Sequence, residues 1–179
     1  MLTMAEALSY ASARPDRLAE WHPVNPGPEH RVLLLCTEVE DAIRDREFWT
    51  RLPRERENGP FDRRFRLMML LDRWVGGAQM AVDREIKGLS PRSDGVWELR
   101  STYSVGVRVI GMMAAFNVFV GFDVHRRDLL GAGGSVEWNK ACARAISGWR
   151  EVFGDARPLY CPEVLTPESA RKLWDDHGR

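Results

Sequence analysis

Three short apolar segments in close succession, closed by one amphipathic helix, constrain the fold of this chain more than any other feature. The segments predict strands at 96–102, 105–113 and 116–124. After the sequence AGGS, Ser135 is placed to cap a helix whose apolar residues recur at steps of three and four. Because consecutive strands with short connections pair in antiparallel fashion, this region predicts a small antiparallel sheet followed by a helix.

Apolar and mixed residues alternate in the last of these strands. The even-numbered positions from Phe116 to Val124 form an apolar face, whereas Asp123 and His125 belong to the mixed face. A strand with this pattern is half buried, and its polar groups point away from the apolar side.

The first residues of the chain predict a helix and a linker. Thr3 and Glu6 have the spacing of a capping box, in which each side chain satisfies the other residue's exposed amide. The helix is expected to run toward Trp21, with Pro15 as a point where it can break. Three prolines and a glycine then predict a linker at 21–30.

The next stretch predicts a strand and two helices. The apolar run at 31–36 is the best first strand of the domain. Thr37 and Glu40 repeat the capping-box spacing and open a helix that continues to about residue 52. Apolar residues at helical spacing predict another helix at 61–75.

This order of elements predicts an α+β fold. We expect a small antiparallel sheet of three to four strands, plus an N-terminal strand, with the helices packed mainly on one face. The corresponding division of the chain is an N-terminal helix and linker at 1–30, a main domain at 31–153 and a tail at 154–179. Thr166 and the proline after it predict a short helix in the tail.

The charge of the chain is balanced as a whole but not locally. The 179 residues include 26 basic and 26 acidic side chains, which favours no particular class of partner. The segment 84–150, in contrast, holds ten Lys and Arg against six Asp and Glu. A basic region of this kind is compatible with a partner that carries phosphate.

Cysteine usage and hydropathy exclude several classes of protein. Three widely spaced cysteines without a CxxC pair argue against a disulfide framework or a zinc site, and favour a reduced, cytoplasmic protein. No signal peptide is visible, and the most apolar stretch, 105–122, is interrupted by Arg108, Asn117 and glycines. We therefore expect paired strands there rather than a membrane helix, and no membrane partner.

Two arginines lie on strands that are otherwise apolar. Arg100 falls near the end of the first strand, and Arg108 lies near the start of the next. An isolated buried charge is expensive, so each guanidinium needs a partner or access to solvent. Two explanations stay open: a groove that receives an anion, or ion pairs with Glu98 or Asp123 on the sheet.

The order of these elements resembles that of the RelE/HigB-like toxins, including their phage-derived branch. The sequence GVWELR at 95–100 is similar to the GLWELR of that family and is the most specific match. The weaker matches gain weight from their order: RVLLLCTEVEDAI, IKGL at 86–89, VRV at 107–109, VGFDVHRR at 120–127 and EWNKACARAISGW. The resemblance covers about residues 31–150 and implies a RelE/ParE-like fold.

The resemblance also implies an endoribonuclease that cleaves messenger RNA, usually on the ribosome, with no metal or other cofactor. In such a reaction the ribose 2′-hydroxyl attacks the adjacent phosphate, and the enzyme transfers protons and stabilises the added negative charge. Arginine suits the second task because its guanidinium can bind two phosphate oxygens. Histidine suits proton transfer near neutral pH.

Individual roles follow from the same resemblance. It assigns catalysis to three side chains, with the two arginines as phosphate clamps: Arg100, Arg108 and His125. It assigns RNA binding to three more: Lys87, Arg126 and Arg127. It implies growth inhibition on expression, and a cognate antitoxin protein that covers the groove. Alternatively, the helix at 1–21 covers the sheet of its own chain. In a plain binding module, that helix and the linker would instead form a homodimer contact.

Two other functions fit the same residues. ParE-like relatives share the fold but act on a topoisomerase, so a non-catalytic protein inhibitor or a phage-encoded host-factor binder is the first alternative. A plain binding module is the second. For His125 and the two arginines after it, a solvated turn is the simpler interpretation, and Lys87 is an ordinary surface lysine in that case.

The nuclease hypothesis makes a geometric prediction. Arg100, Arg108 and His125 should converge at one cationic hollow. Side chains on opposite surfaces, or each buried in a carboxylate bridge of its own, would argue against RNA cleavage.

Overall fold

The computed structural model describes residues 2–23, 31–45, 49, 60–89, 91, 94–101 and 106–159. Within these ranges the chain forms one six-stranded sheet with helices on both sides. The strands are β1 (Leu18–Glu20), β2 (Val32–Cys36), β3 (Ile86–Gly88), β4 (Val96–Arg100), β5 (Val107–Ala115) and β6 (Val118–Arg126). The helices are α1 (Met4–Ala13), α2 (Thr37–Arg44), α3 (Pro60–Val75), α4 (Arg127–Leu130) and α5 (Val136–Phe153).

The sheet is mixed, with the strand order β1-β2-β6-β5-β4-β3. All neighbouring strands are antiparallel except β2 and β6, which run parallel. The predicted antiparallel meander is therefore confirmed for β4, β5 and β6, but the strand count was too low. The short strands β1 and β3 extend the sheet at its two edges.

Helices cover both faces of the sheet, so the prediction that they pack mainly on one face is wrong. Strand β2 shows why, because its apolar run VLLLC supplies both cores. Leu33 and Leu35 belong to a core with α2 and α3, whereas Val32 and Leu34 belong to a second core with α1 and α5. A short, continuously apolar strand is typical of a sheet that is buried on both sides.

The N-terminal residues are part of this sheet. The predicted capping box is confirmed, since the Thr3 hydroxyl accepts from the Glu6 amide and the Glu6 carboxylate accepts from the Thr3 amide. The helix nevertheless ends at Ala13 instead of continuing toward Trp21. After a turn, Leu18 pairs with Cys36, which makes β1 an edge strand beside β2.

The ends of α2 and α5 test two further predictions about where helices begin and end. Helix α2 ends at Arg44, not near residue 52, and its N-cap is Cys36 with no side-chain hydrogen bond, so the second capping box is absent. Helix α5 begins as predicted, because the Ser135 hydroxyl accepts from the Trp138 amide at 3.2 Å. The predicted tail helix from Thr166 and most of the predicted linker, residues 24–30, lie outside the described residues.

A β-bulge in β6 overturns the predicted alternation of that strand. Ile110 of β5 pairs with Asp123, but the next residue, Gly111, pairs with Gly121, so Phe122 has no partner. One inserted residue changes which side chains share a face. Val118, Val120, Asp123 and His125 consequently lie on the α5 side of the sheet, whereas Val124 belongs to the α3 side.

Candidate functional site

The three predicted catalytic residues lie side by side across three neighbouring strands. Arg100 of β4 pairs with Arg108 of β5, and Arg108 pairs with His125 of β6. Directly paired residues place their side chains on the same face, with Cβ atoms about 4.5–5.5 Å apart. We call these three residues the basic row. It lies on the side of the sheet that α5 covers.

The two arginines of the basic row share one buried carboxylate. Glu98 is fully buried, and its Oε1 accepts from Nε of Arg100 at 2.7 Å and lies 2.5 Å from Nη2 of Arg100. The second oxygen, Oε2, lies 3.2 Å from Nε of Arg108. That contact is an ion pair without good hydrogen-bond geometry, since neither atom has a hydrogen-bond partner in the described part of the chain.

Backbone carbonyl groups fix both guanidiniums further. Nη1 of Arg100 donates to the carbonyl of Asp83, and Nη1 of Arg108 donates to the carbonyl of Ser101 at 3.2 Å. Burial lowers the pKa of Arg108, although the nearby Glu98 carboxylate opposes that shift. The side chains of Arg100 and Arg108 remain 19% and 13% exposed, so part of each reaches the surface.

His125 belongs to a second ionic cluster beside the first. Its Nε2 lies 2.9 Å from Oδ2 of Asp123 and 2.8 Å from Nη2 of Arg144, which projects from α5. Arg144 also donates from Nε to Oδ2 of Asp123 at 2.5 Å. One ring nitrogen cannot donate to the carboxylate and accept from the guanidinium at the same time, so the protonation of His125 decides which bond forms.

The net charge of the two clusters is positive. Three arginines, namely Arg100, Arg108 and Arg144, meet two carboxylates. With a neutral His125, these five charged groups of the described residues therefore leave one net positive charge. A site of this charge attracts an anion such as phosphate.

The predicted RNA-binding residues lie around the basic row, and the two arginines among them have partners of their own. Arg126 pairs with Asp128. Arg127 donates to the carbonyl of Gly131, and its guanidinium lies 5.9 Å from the ring centroid of Trp138. Lys87 on β3 pairs in register with Glu98, so it lies on the same face as the shared carboxylate.

The geometric prediction is met in the position of the three side chains but not in their charge balance. The three side chains converge on one face, as expected, but they are not free cations. Arg100 and Arg108 pair with one shared carboxylate, and His125 contacts Asp123. The ion pairs that the sequence left open as an explanation for the arginines are therefore present, with Glu98 as their acceptor.

Arg144 is the site residue that sequence reasoning missed. It lies on an amphipathic helix among other polar residues, and it contacts Asp123 across 21 positions of the chain. Only the packing of α5 against β6 brings these two residues together. Nothing in the local sequence distinguishes Arg144 from a solvated helix arginine.

Other kinds of site find no support within the described residues. These residues contain no group of three or more His, Cys, Asp and Glu side chains that could hold a metal ion. None of the helices in the same ranges has the length and apolar character needed to cross a bilayer. Cys36 and Cys142 are free thiols.

Comparison of the chain with protein-family models, with curated proteins and with solved structures finds no match. The resemblance to the RelE/HigB-like toxins therefore rests on the residues of this chain alone.

Proposed function

We propose that this protein is a toxin-like endoribonuclease that binds messenger RNA at the basic row and cleaves it without a metal. The observation that supports this most strongly is the register of Arg100, Arg108 and His125, which aligns two guanidiniums and one imidazole on one face. Two phosphate-binding groups next to a proton-transfer group are what 2′-hydroxyl attack on a phosphate requires.

In this proposal Glu98 holds the two arginines in place for the phosphate. A single carboxylate cannot neutralise two guanidiniums, so the group of Glu98, Arg100 and Arg108 keeps one positive charge. We call this group the shared-carboxylate triad. Guanidiniums that are fixed before the substrate binds need no reorganisation as the extra negative charge forms on the phosphate.

His125 is the proton-transfer residue in this proposal, and Asp123 orients its ring. A base whose ring is held by a third group is a common arrangement in nucleophilic catalysis. Asp123 and Arg144 both contact Nε2, so the proposal assigns proton transfer to Nδ1, the other nitrogen of the ring.

The decisive experiment combines growth, RNA integrity and protein stability. Expression of the parent protein should stop growth and cut messenger RNA, whereas His125→Ala should slow cleavage by about 10²–10⁴-fold. This substitution leaves the ion pair between Asp123 and Arg144 intact, so the variant should fold. Arg108→Lys keeps the charge but loses the planar fork, and it should also cleave poorly.

Arg150→Ala is the matched control, because Arg150 is an exposed α5 arginine away from the basic row. It should cleave as the parent does. Growth arrest with intact messenger RNA would refute the nuclease proposal, as would full activity of His125→Ala.

One observation favours a second function, a non-catalytic protein inhibitor or binding module on the same scaffold. The basic groups already have carboxylate partners, which is also what a purely structural role for them would require. On this alternative the protein should co-purify with a host protein after nuclease treatment, and His125→Ala should still arrest growth.

A cognate antitoxin is the expected partner if the protein is a toxin. An acidic segment that lies along the basic row, on the α5 side of the sheet, would complement the positive charge of the site. Co-expression with such a partner should restore growth, and Arg144→Ala should weaken the complex if the antitoxin contacts the same cluster.

A further inference from the structure

A cleft of about 390 Å³ opens beside the basic row. It lies between α5, the bulge of β6 and the corner where α1 leads into β1. Asp123 and Arg144 line it, and the same two residues contact His125. The cleft therefore adjoins the ionic cluster of His125. Its volume is in the range of about 300–1,000 Å³ that is usual for small-ligand sites.

The charges around the cleft balance, in contrast to those of the basic row. Three arginines line it: Arg14, Arg17 and Arg144. Three carboxylates line it as well: Glu38, Asp123 and Glu151. Some of these groups already pair with each other, as Arg17 does with Glu151 at 3.5 Å. A neutral lining with many donors and acceptors suits an uncharged polar ligand better than a second phosphate.

The β-bulge supplies the aromatic wall of this cleft. Phe122 is the inserted residue, and it is half buried against α5. A Cβ atom at Gly148 would lie 2.5 Å from the phenyl ring, so the absence of a side chain there lets the ring and the helix meet. The ring still lines the cleft. A partly exposed aromatic ring is a stacking surface for a planar ligand.

The thiol in the cleft does not take part in chemistry. The Sγ atom of Cys36 donates to the carbonyl of Phe122 at 3.4 Å. Burial raises the pKa of this thiol to about 12, so it stays protonated and is a poor nucleophile. The cleft is therefore a place for recognition rather than for covalent catalysis.

We propose that this cleft binds one nucleobase, with its ribose, of the RNA segment that crosses the basic row. The proposal rests on the proposed function and extends it by naming a base-recognition site next to the reacting phosphate. Phe122 stacks on the base, while Glu38, Asp123 and the arginines around them bind its polar edge. Because the lining is rich in directional donors and acceptors, we expect one base to be preferred.

Nucleosides without phosphate test the cleft separately from RNA cleavage. Binding of adenosine, guanosine, cytidine and uridine to the full chain is measured by NMR titration, following the amide signals of Ser147 and Gly148. We expect one nucleoside to bind at least fivefold more tightly than the weakest. Ser147→Trp should abolish this binding, because Ser147 is exposed and its replacement fills the cleft.

Two variants serve as controls. Ser147→Ala leaves the cleft open and should bind nucleosides as the parent does. Arg108→Ala lies outside the cleft and should also keep nucleoside binding while RNA cleavage is lost. If no nucleoside binds, or if Ser147→Trp binds as the parent does, the base-recognition proposal is wrong even where cleavage is observed. If a nucleoside binds but no RNA is cleaved, the cleft proposal stands and the nuclease proposal fails.

Discussion

Replacing Glu98 by glutamine tests the shared-carboxylate triad most directly. The side chain keeps its size but loses its charge, and one of its two acceptor oxygens becomes a donor. Arg100 loses charge-assisted contacts of 2.7 and 2.5 Å, and Arg108 loses an ion pair of 3.2 Å. Each side chain then faces a neutral amide at a fully buried position.

The expected cost of Glu98→Gln can be set from these contacts. Removing one partner of a buried ion pair destabilises a protein by about 3–5 kcal/mol. The two guanidiniums remain 19% and 13% exposed and recover some hydration, so the lower end of that range applies. For a chain of this size, about 3 kcal/mol corresponds to a decrease in Tm of roughly 6–12 °C.

Urea unfolding followed by tryptophan fluorescence measures this loss, with the m-value as a check that the unfolding transition is unchanged. Glu40→Gln is the matched control, because Glu40 and Arg44 form an i,i+4 pair on the surface of α2. Its cost should be about 0.5 kcal/mol or less. A Glu98→Gln variant that is no less stable than Glu40→Gln would refute the role assigned to the triad.

A triple substitution separates stability from function. Glu98→Leu, Arg100→Met and Arg108→Met together replace the buried ions by apolar groups of similar size. Such replacements are often neutral, or stabilising by about 1–4 kcal/mol. We therefore expect the triple variant to fold at least as well as the parent while RNA cleavage is lost. Full activity of the triple variant would show that the basic row does not bind the substrate.

Three further predictions concern the elements around the site. Ser135→Ala should destabilise the protein by about 1–2 kcal/mol in urea unfolding, since Ser135 caps α5 and also donates to the Leu130 carbonyl, and Ser135→Asn should recover most of this. Gly148→Ala should cost about 1–3 kcal/mol and alter the near-UV circular dichroism, because its methyl group would lie 2.5 Å from the phenyl ring of the bulge residue. In a Cys161→Ser background at pH 8, Cys36 and Cys142 should react with a disulfide reagent at least tenfold more slowly than in unfolded protein, because burial raises their pKa values to about 12 and about 11. The folded state keeps these protons above the ordinary thiol pKa of 9.0, so stability should fall as the pH rises from about 9 to about 12.

Local sequence signals were sufficient to predict the helices that are specified by their own capping residue or apolar spacing. Ser135 predicted the beginning of α5, and the apolar spacing of 61–75 predicted α3. In both cases the decisive interactions lie within a few residues along the chain. The prediction was wrong where distant residues decide, as in β1, which forms because Leu18 pairs with Cys36. No propensity within a strand of three residues encodes that pairing.

The sequence predicted which residues form the basic row, but it did not settle which carboxylate pairs with the arginines. Sequence alone does not give the register between β4 and β5, so the pairing of Arg100 with Arg108 is established only by the observed sheet. The role of Glu98 as the shared acceptor follows from its position two residues before Arg100 on the same face. That spacing is readable in the sequence once the strand is known.

The β-bulge connects the fold to the site by an energetic argument. With regular alternation from Val120 onward, Asp123 and His125 would lie on the α3 side of the sheet, within an apolar core that includes Val109. Burying both polar groups there without partners would cost several kcal/mol. The inserted Phe122 removes that cost, because it turns both groups toward α5, where Arg144 pairs with Asp123 and contacts His125. The polar side chains that make the site are therefore the same ones that make a regular strand unfavourable, and the aromatic wall of the cleft is the residue that resolves the conflict.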